Sequence, residues 1–558
     1  MAVGKWQLVS ALTAKAISPT RLVVYVALAL VVFYNAAAWQ ALNQLVPFNS
    51  LKAAAFYGSF ALFLLAFISL LLTLVSFKYL LKPLLTLLLL CSASATYFMG
   101  SYGVSIDTVM VQNIFETNPD EAGALLSVRM LGYLLVLGVL PAILIWCMPV
   151  RYPRFFRGLL NKLLMITACL VTVAVMVGSF YSTYAPIFRD EDKLTHYINP
   201  TNYIYAVSKY AKQRFGSKES LVVQQIGLDS KAGAQLSTRP KKSLVIFIVG
   251  ETARADHFAL NGYSRETNPE LKKQDILNFT AVHSCGTSTA VSVPCMFSVF
   301  PRKDFSDRKG KTNEGVLDVL QRAGVKVFWR DNNSDCKGTC LRIPNDDVAK
   351  RKNSPFCNDR RCLDEVMLED LQSYIDSLDG NAMIVLHADG SHGPEYFDRY
   401  PDSLERFKPV CHTNQLSSCS TEELVNVYDN TILYTDHFLS QVIELLKRNT
   451  EQRDTAMIYV SDHGESLGES GLYLHAAPYS IAPEAQTHVP MVMWFSPAAY
   501  SHWGIDQGCM QGKQNDPKLS HDNIFHSLLG LFAVQSSVYQ PGLDMFSSCR
   551  QPSVAARQ

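Results

Sequence analysis

Residues 243–249 read SLVIFIV and run directly into Gly250-Glu251-Thr252. An unbroken apolar run of this length predicts a β-strand that is buried on both faces, as in a parallel sheet. Three further runs of the same kind follow along the chain, at residues 325–329, 382–386 and 456–460. The second half of the chain therefore contains at least four predicted buried strands.

Helical patterns separate these strands. Residues 314–322 read EGVLDVLQR, and residues 422–448 place leucine, valine and isoleucine on one helical face. Ser420 and Glu423 have the spacing of a capping box before the longer helix. Strands that alternate with helices predict an α/β domain with a central, mostly parallel sheet.

Acids and histidines follow the predicted strands. Ligands of such sheets bind at the carboxyl ends of strands, where Glu251, Asp462 and His463 come directly after two of the apolar runs. His387, Asp389 and His392 follow a third run. Zinc in proteins is bound by imidazole and carboxylate groups in a tetrahedral array, so Glu251, Asp462 and His463 are predicted to supply three ligands.

A metal-activated hydroxyl is the expected nucleophile of such a site. Residues 284–295, SCGTSTAVSVPC, combine glycine with several hydroxyl residues ahead of an apolar run. A helix that begins here would direct its first amides at a phosphate group. The residues alone leave four candidates open: Thr287, Ser288, Thr289 and Ser292.

The first 185 residues contain five apolar stretches of about the length that spans a bilayer. They are roughly Arg21 to Leu42, Ala53 to Phe77, Leu80 to Phe98, Met130 to Met148 and Leu159 to Tyr184. We expect three parts: transmembrane residues 1–187, a bridging segment 188–242 along the membrane surface, and a catalytic domain 243–558.

Basic residues predict the orientation of the spans. Lysines and arginines cluster before span one, between spans two and three, and between spans four and five. Positive loops stay in the cytoplasm, so an odd number of spans places the second half of the chain in the periplasm. We therefore expect a multi-pass protein of the bacterial inner membrane with a cytoplasmic N-terminus.

Cysteine spacing supports this orientation independently. Ten of the thirteen cysteines follow residue 280. Short loops favour local disulfides, which persist outside the cytosol, in four pairs: Cys285 with Cys295, Cys336 with Cys340, Cys357 with Cys362, and Cys411 with Cys419. Zinc clusters are the alternative, but the spacing is not that of zinc fingers. Cys509 and Cys549 are candidates for a fifth bridge.

A formal net charge of +1 provides no basic field, so no nucleic-acid partner is expected. The chain resembles the phosphoethanolamine transferases that modify lipid A, including the mobile colistin-resistance enzymes, within the alkaline phosphatase and sulfatase superfamily. The resemblance covers nearly the whole chain and rests on long motifs in the same order: VGETARADHFALNGYSRETNPEL at 249–271, SCGTSTAVSVPCMFS at 284–298, RDNNSDCKG at 330–338, SHGPEYFDRY at 391–400, and YVSDHGESLGE at 459–469 followed by LHAAP.

The resemblance implies roles that the residues alone do not. It makes Thr289 the nucleophile and a zinc ligand beside Glu251, Asp462 and His463, with one or two zinc ions. His392 and His475 match residues that face the transferred phosphoethanolamine or a second zinc. Other positions match residues that contact the substrate: Ser334, Lys337, Asn113, Thr117 and Glu121. The last three lie in the polar loop between spans three and four, and they match residues that hold the donor lipid.

The implied reaction transfers phosphoethanolamine from phosphatidylethanolamine to lipid A through a phosphoethanolamine-threonine intermediate. The expected result is lower negative surface charge and polymyxin resistance, from an enzyme that acts as a monomer among membrane lipids. Alternatives are a membrane-anchored phosphatase or sulfatase, a transferase acting on Kdo or another core sugar, and a non-catalytic periplasmic sensor. No Cys/Ser-x-Pro-x-Arg sulfatase pattern surrounds Thr289, and a sensor would be expected to have lost some of the site residues.

Overall fold

The computed structural model describes residues 16–117, 119–190, 192–215, 222–351 and 353–550. The chain divides into two units. One comprises Met1–Val111 and Leu126–Tyr210, and the other comprises Gln112–Leu125 and Ala211–Gln558. Much of the polar loop between spans three and four therefore belongs to the unit that carries the strand-end acids and histidines. The boundaries at residues 187 and 242 stay predictions.

The first unit contains the apolar helices. Four are long and apolar enough to cross a membrane: Leu51–Leu74, Leu81–Tyr102, Val128–Cys147 and Phe155–Ser179. Pro19–Phe33 and Ala36–Leu45 meet at a bend of 58° and make a fifth span if they are counted together. The first predicted span is thus bent, which the length of its apolar run does not reveal.

Asn35 explains the bend in the first span. Its side-chain amide donates hydrogen bonds to the carbonyls of Leu30, at 2.9 Å, and Asn199, at 2.8 Å. Asn199 in turn donates to the carbonyl of Ser92, in the helix Leu81–Tyr102, at 3.0 Å. A buried polar side chain needs such partners, and here they tie the break to neighbouring helices. Three further helices follow the last span: Tyr181–Asp190, Asp192–Thr195 and Thr201–Phe215.

The second unit is built on a sheet of seven strands in the described part of the chain. In chain order they are β1 Lys242–Gly250, β2 Ile276–His283, β3 Lys326–Asp331, β4 Asn345–Asp347, β5 Ala382–His387, β6 Arg453–Ser461 and β7 His488–Phe495. Their order across the sheet is β2-β7-β6-β1-β5-β3-β4. β7 is antiparallel to both of its neighbours, and the contacts among β6, β1, β5, β3 and β4 are parallel. The predicted mostly parallel sheet is confirmed.

The four predicted strands are β1, β3, β5 and β6, whereas β2, β4 and β7 were not anticipated. β2 reads ILNFTAVH, in which Asn278 and Thr280 interrupt the apolar run. β7 contains Pro490, and the register between β7 and β2 shifts between Val489 and Met491. Proline is found in sheets mainly at edges and bulges, so an apolar run that contains proline is not predicted to be a central strand.

Helices flank this sheet. The longest is Thr421–Arg448, and its capping box is present: Ser420 Oγ accepts from the Glu423 amide at 3.2 Å, and Glu423 accepts from the Ser420 amide at 2.7 Å. The other helices are Ala234–Ser237, Thr289–Met296, Asp307–Thr312, Val316–Arg322, Leu371–Asp376, Glu484–Thr487, Pro497–His502, Gln507–Gly512 and Ile524–Leu531. Thr108–Glu116 and Pro119–Ala124 lie in the polar loop.

Five disulfides cross-link the second unit. They join Cys285 to Cys295, Cys336 to Cys340, Cys357 to Cys362, Cys411 to Cys419 and Cys509 to Cys549. The remaining thiols, Cys91, Cys147 and Cys169, lie in the apolar helices. Such a division fits a second unit in an oxidising compartment.

Candidate active site

The register of the sheet brings Glu251 and Asp462 together. β1 and β6 are parallel neighbours in which Gly250 lies opposite Ser461, so the residues that follow leave the sheet side by side. The Asp462 amide donates to the Gly250 carbonyl at 2.9 Å, which extends the ladder by one bond. His463 is next along the chain and reaches the same point.

Glu251, Asp462 and His463 form a buried cluster. His463 Nε2 lies 3.4 Å from Glu251 Oε1 and 3.3 Å from Asp462 Oδ2. One ligand atom from each of the three residues lies within 4.8 Å of the others. The side chains are completely buried, so water cannot screen the two carboxylates from each other.

Hydrogen bonds leave the atoms that face one another available to a cation. His463 Nδ1 lies 2.9 Å from the Gly464 carbonyl and is therefore the protonated nitrogen, which leaves Nε2 with a free lone pair. Asp462 Oδ1 accepts from the amides of Thr252 and His463, whereas Oδ2 is buried and has no hydrogen-bond partner in the described structure. This donor set fits a divalent metal ion.

The pKa shifts in the cluster also indicate that a cation would stabilise it. Burial, and secondly the charge of Asp462, raise the pKa of Glu251 to about 7. Burial raises the pKa of Asp462 to about 7 despite two backbone hydrogen bonds. Burial also holds the pKa of His463 well below its usual value, so its imidazole is neutral. A cation between these groups would offset the repulsion and favour ionised carboxylates.

The Thr289 hydroxyl contacts this cluster. Its Oγ1 lies 3.1 Å from Glu251 Oε2 and 3.4 Å from His463 Nε2. Thr289 is the first residue of the helix Thr289–Met296, and Ser288 is the N-cap. The hydroxyl that contacts the candidate metal ligands therefore lies at the N-terminus of this helix.

The other three candidate hydroxyls have different surroundings. Thr287 Oγ1 donates to the Ala477 carbonyl at 2.7 Å, and Ser292 Oγ donates to the Asp462 carbonyl at 2.5 Å. Ser288 Oγ is buried without a hydrogen-bond partner in the described structure. Geometry thus favours Thr289 among the four.

His392 and His475 lie next to the cluster. The rings of His475 and His463 have centroids 4.5 Å apart, and those of His475 and His392 are 5.3 Å apart. His475 Nδ1 is 3.1 Å from the buried carboxylate of Glu465, which fixes the orientation of the ring. Arg399 Nε donates to the His392 carbonyl at 2.9 Å.

Ser334 and Lys337 connect to the cluster through Asn333. Lys337 Nζ donates to Ser334 Oγ at 2.7 Å, and Ser334 Oγ donates to Asn333 Oδ1 at 3.1 Å. Asn333 Nδ2 donates to Glu251 Oε2 at 3.0 Å and to the Ala388 carbonyl at 2.8 Å. One chain of hydrogen bonds therefore runs from Lys337 to the carboxylate that contacts Thr289.

The three polar-loop positions lie in the segment Gln112–Leu125. Thr117 Oγ1 donates to the Asn113 carbonyl at 2.6 Å, at the end of Thr108–Glu116. Glu121 lies in Pro119–Ala124, but its side chain is outside the described part of the structure. Glu116 pairs with Lys311 at 3.1 Å, so this segment contacts the helix Asp307–Thr312 of the same unit.

Several residues that shape the site were not predicted from the sequence. Asn333 and Glu465 position Glu251 and His475 through the bonds described above. His521 Nδ1 lies 3.2 Å from Ser292 Oγ and accepts from the Cys285 amide at 3.1 Å, so it braces the loop before Thr289. Asn333 comes shortly after the end of β3, a position that could have indicated a site residue. The sequence around His521 contains no comparable pattern.

Comparison with known proteins agrees with this geometry. Residues 243–534 match the sulfatase family model, and residues 64–215 match the model of the phosphoethanolamine transferases EptA and EptB. The chain is 41% identical to phosphoethanolamine transferase EptA of Salmonella typhimurium over 522 residues, which cover 93% of this chain and 95% of the relative. It is 39% identical to phosphatidylethanolamine transferase Mcr-1 of Escherichia coli, over 93% of this chain and 96% of that one.

A solved structure extends the agreement to the whole molecule. The integral membrane lipooligosaccharide phosphoethanolamine transferase A of Neisseria meningitidis superposes with a TM-score of 0.93 at 36% identity, covering 96% of this chain and 100% of that one. The apolar helices and the sulfatase-like domain both take part in this match. The chain is thus a multi-pass integral membrane enzyme with a periplasmic catalytic domain, and it belongs to the phosphoethanolamine transferase family.

Proposed function

We propose that this enzyme transfers phosphoethanolamine from phosphatidylethanolamine to a phosphate group of lipid A, with Thr289 as the nucleophile beside a zinc ion. The observation that carries the proposal is the position of Thr289 Oγ1, 3.1 Å from Glu251 and 3.4 Å from His463 Nε2 at the start of a helix. Relatives that share the architecture are named as phosphoethanolamine transferases, and one of them as acting on lipooligosaccharide.

Glu251, Asp462, His463 and Thr289 would hold the metal. Two carboxylates, one neutral imidazole and a hydroxyl are a donor set that zinc accepts in catalytic sites. When bound, zinc lowers the pKa of a coordinated hydroxyl and offsets negative charge on phosphoryl oxygens. Whether one ion or two are bound would depend on His392 and His475, which lie beside the first set of ligands.

In the first step Thr289 Oγ1 attacks the phosphorus of the donor. A bond forms between this oxygen and phosphorus, and the bond from phosphorus to the diacylglycerol oxygen breaks. The Thr289 proton leaves toward Glu251, which accepts its hydrogen bond in the structure, and is passed on to the departing diacylglycerol oxygen. The first backbone amides of Thr289–Met296 would stabilise the negative phosphoryl oxygens.

In the second step a phosphate oxygen of lipid A attacks the phosphoethanolamine-threonine. The new phosphoanhydride bond forms as the bond to Thr289 breaks, and Thr289 Oγ1 takes up the proton that the acceptor phosphate gives up. His392, His475, Ser334 and Lys337 are the residues that we propose contact the transferred group. Asn113, Thr117 and Glu121 are proposed to hold the donor lipid, and the enzyme is expected to work as a monomer.

Mass spectrometry of lipid A from cells that express the protein tests this function. We expect lipid A to gain one or two phosphoethanolamine groups. Thr289→Ala should lower the rate of this modification by at least about a thousandfold, because it removes the covalent nucleophile. Thr238→Ala, at an exposed threonine, is the matched control and should retain full activity.

The same measurement separates the alternatives. Release of free phosphoethanolamine without modified lipid A would indicate a hydrolase, and mass added only to the core sugars would indicate a Kdo or core transferase. Undiminished lipid A modification by Thr289→Ala would contradict the assigned nucleophile.

A further inference from the structure

A cavity of about 120 Å³ borders the candidate active site and is lined in part by Asn333, Ser334 and His392. It also reaches Pro119 and Ala124 of the polar-loop segment. Its wall carries four basic side chains: Lys350, Arg360, Arg361 and Arg399. Among the described residues of the wall, Asp389 alone is acidic, and it pairs with Arg399. The acidic partners of the other three, Asp347, Glu395 and Asp398, do not line the cavity. The wall therefore presents mainly cationic N–H donors to a ligand beside the reacting groups.

Two of these arginines are held in place by their loop. The disulfide between Cys357 and Cys362 closes the loop that carries Arg360 and Arg361. Asn358 Oδ1 accepts hydrogen bonds from both arginine amides, at 2.8 Å and 2.9 Å. Because the backbone is fixed in this way, little further ordering is needed when the loop meets a ligand.

The guanidinium of Arg361 has donors to spare. Its Nη2 donates to Glu395 at 2.7 Å, but Nε and Nη1 are buried and have no hydrogen-bond partner in the described structure. Asp398 Oδ2 lies 3.2 Å from Nε without hydrogen-bonding geometry. Buried donors of a charged group that remain unpaired are costly, so a rotation of the Arg361 side chain toward an anion in the cavity would be favoured.

Arg360 adds an accessible charge at the same place. It pairs with Asp398 at 2.7 Å, and 57% of its side chain remains exposed. Adjacent guanidinium groups that offer several N–H donors suit the oxygens of a phosphate better than those of an uncharged sugar. Lys350 is 80% exposed and pairs with Asp347 at 3.2 Å, so it adds an accessible ammonium group to the wall and no uncompensated charge.

The charge of the cavity favours the acceptor over the donor. Phosphatidylethanolamine carries one negative phosphodiester and a positive ammonium group, and the cavity would repel the ammonium. A phosphate monoester carries a charge of about −1.5 to −2 near neutral pH. Lipid A presents phosphate monoesters, so the cationic wall attracts the acceptor more strongly.

We propose that this cavity is the acceptor subsite, in which Arg360 and Arg361 bind the phosphate of lipid A that is not receiving phosphoethanolamine. The inference rests on the proposed function and adds to it a basis for acceptor choice. One phosphate is held at the arginine loop while the other reaches the phosphoethanolamine-threonine, and the residues shared by the cavity and the site, Asn333 and His392, mark the junction between them.

Transfer kinetics of the full-length enzyme in lipid nanodiscs test the proposal. Arg361→Ala is expected to raise KM for lipid A with two phosphates by at least about tenfold, the effect of losing a charge-assisted hydrogen bond. The burst of diacylglycerol released from phosphatidylethanolamine without acceptor should be unchanged. For monophosphoryl lipid A, wild type and variant should have similar KM values, because the second phosphate is missing from the acceptor.

Two further variants guard the test against misfolding. Arg360→Ala alters an exposed side chain and should raise the same KM even if Arg361→Ala does not fold. Arg448→Ala removes a positive charge from the exposed end of Thr421–Arg448 and should leave both steps unchanged.

Equal acceptor KM for wild type and both loop variants would overturn the subsite, as would a loss confined to the diacylglycerol burst. Absence of any transfer by the wild-type enzyme would instead overturn the proposed function, and the acceptor subsite with it.

Discussion

Glu251 and Asp462 face opposite demands from folding and from metal binding. Folding places both carboxylates in a site without solvent, where burial raises each pKa to about 7. Metal binding requires the ionised forms of the same groups. The cost of burying them is therefore offset only when a cation is bound, and the stability of the protein should report on its metal content.

Removal of the metal should consequently reverse the usual pH dependence of carboxylates. The ordinary pKa values are 4.5 for Glu251 and 3.8 for Asp462, and the folded values are higher. Their stabilising contribution is complete below pH of about 4 and is lost as the pH rises toward 7, because the unfolded chain ionises first. Each group contributes about 1.4 kcal/mol per pH unit across this window.

Chelator-treated enzyme in detergent should therefore show a Tm that falls between pH 4.5 and 7, measured by tryptophan fluorescence. Glu251→Gln removes one of the two titrating groups and should reduce the slope, while zinc should raise the Tm of the wild type most at the higher pH. A Tm that rises with pH in the metal-free protein, equally in wild type and variant, would contradict this account.

The proposed metal ligands could be predicted from the sequence, whereas the proposed nucleophile could not be chosen from the residues alone. Glu251, Asp462 and His463 follow apolar runs directly, so strand-end chemistry identifies them. Four hydroxyls share the loop before the helix Thr289–Met296, and only the distances to Glu251 and His463 distinguish Thr289. Such distances depend on long-range register, which a local pattern does not contain.

At the scale of elements, the capping box of Thr421–Arg448 offers a test of stability separate from activity. Ser420 Oγ satisfies the Glu423 amide, one of the helix's unpaired N-terminal donors. Ser420→Ala should lower the free energy of unfolding by about 1 kcal/mol and leave kcat unchanged, because the cap is not part of the catalytic site. Chemical denaturation gives the first quantity and transfer kinetics the second.

Ser501→Ala serves as the control for that measurement, since Ser501 is exposed and its hydroxyl bonds only to the nearby Ala498 carbonyl in the described structure. It should change the unfolding free energy by less than about 0.5 kcal/mol. If Ser420→Ala lowered kcat under conditions in which the variant is fully folded, Ser420 would contribute to catalysis as well as to helix stability, contrary to this prediction.

Elements were predictable where one physical signal dominated. The buried parallel strands β1, β3, β5 and β6 have continuous apolar runs, and the capping box has a fixed spacing. β7 and β2 lacked such a signal because Pro490 and the polar residues of β2 obscure it. The bend at Asn35 was missed for a related reason, since hydropathy measures length and composition but not the hydrogen bonds of one buried amide.

At the scale of the whole molecule, the two units explain why a soluble type of phosphotransfer fold can act on lipids. Both proposed substrates are anchored in membranes, and the chain joins apolar helices of membrane length to a catalytic unit with five disulfides. The polar-loop segment Gln112–Leu125, although it follows the third span, belongs to that catalytic unit. The chain thereby brings a loop from between its spans to the domain that performs the chemistry.

The proposed reaction should change how the cell surface binds cations. Each phosphoethanolamine group adds an ammonium beside a phosphate, so a modified outer leaflet should attract polycationic peptides less strongly. Cells that express the enzyme should bind less fluorescent polymyxin than cells that express Thr289→Ala at equal abundance. Because surface charges are screened within about 10 Å at 0.1 M salt and about 3 Å at 1 M, the difference should shrink as ionic strength rises. A difference that persists unchanged at high salt would show that reduced peptide binding has a cause other than surface charge.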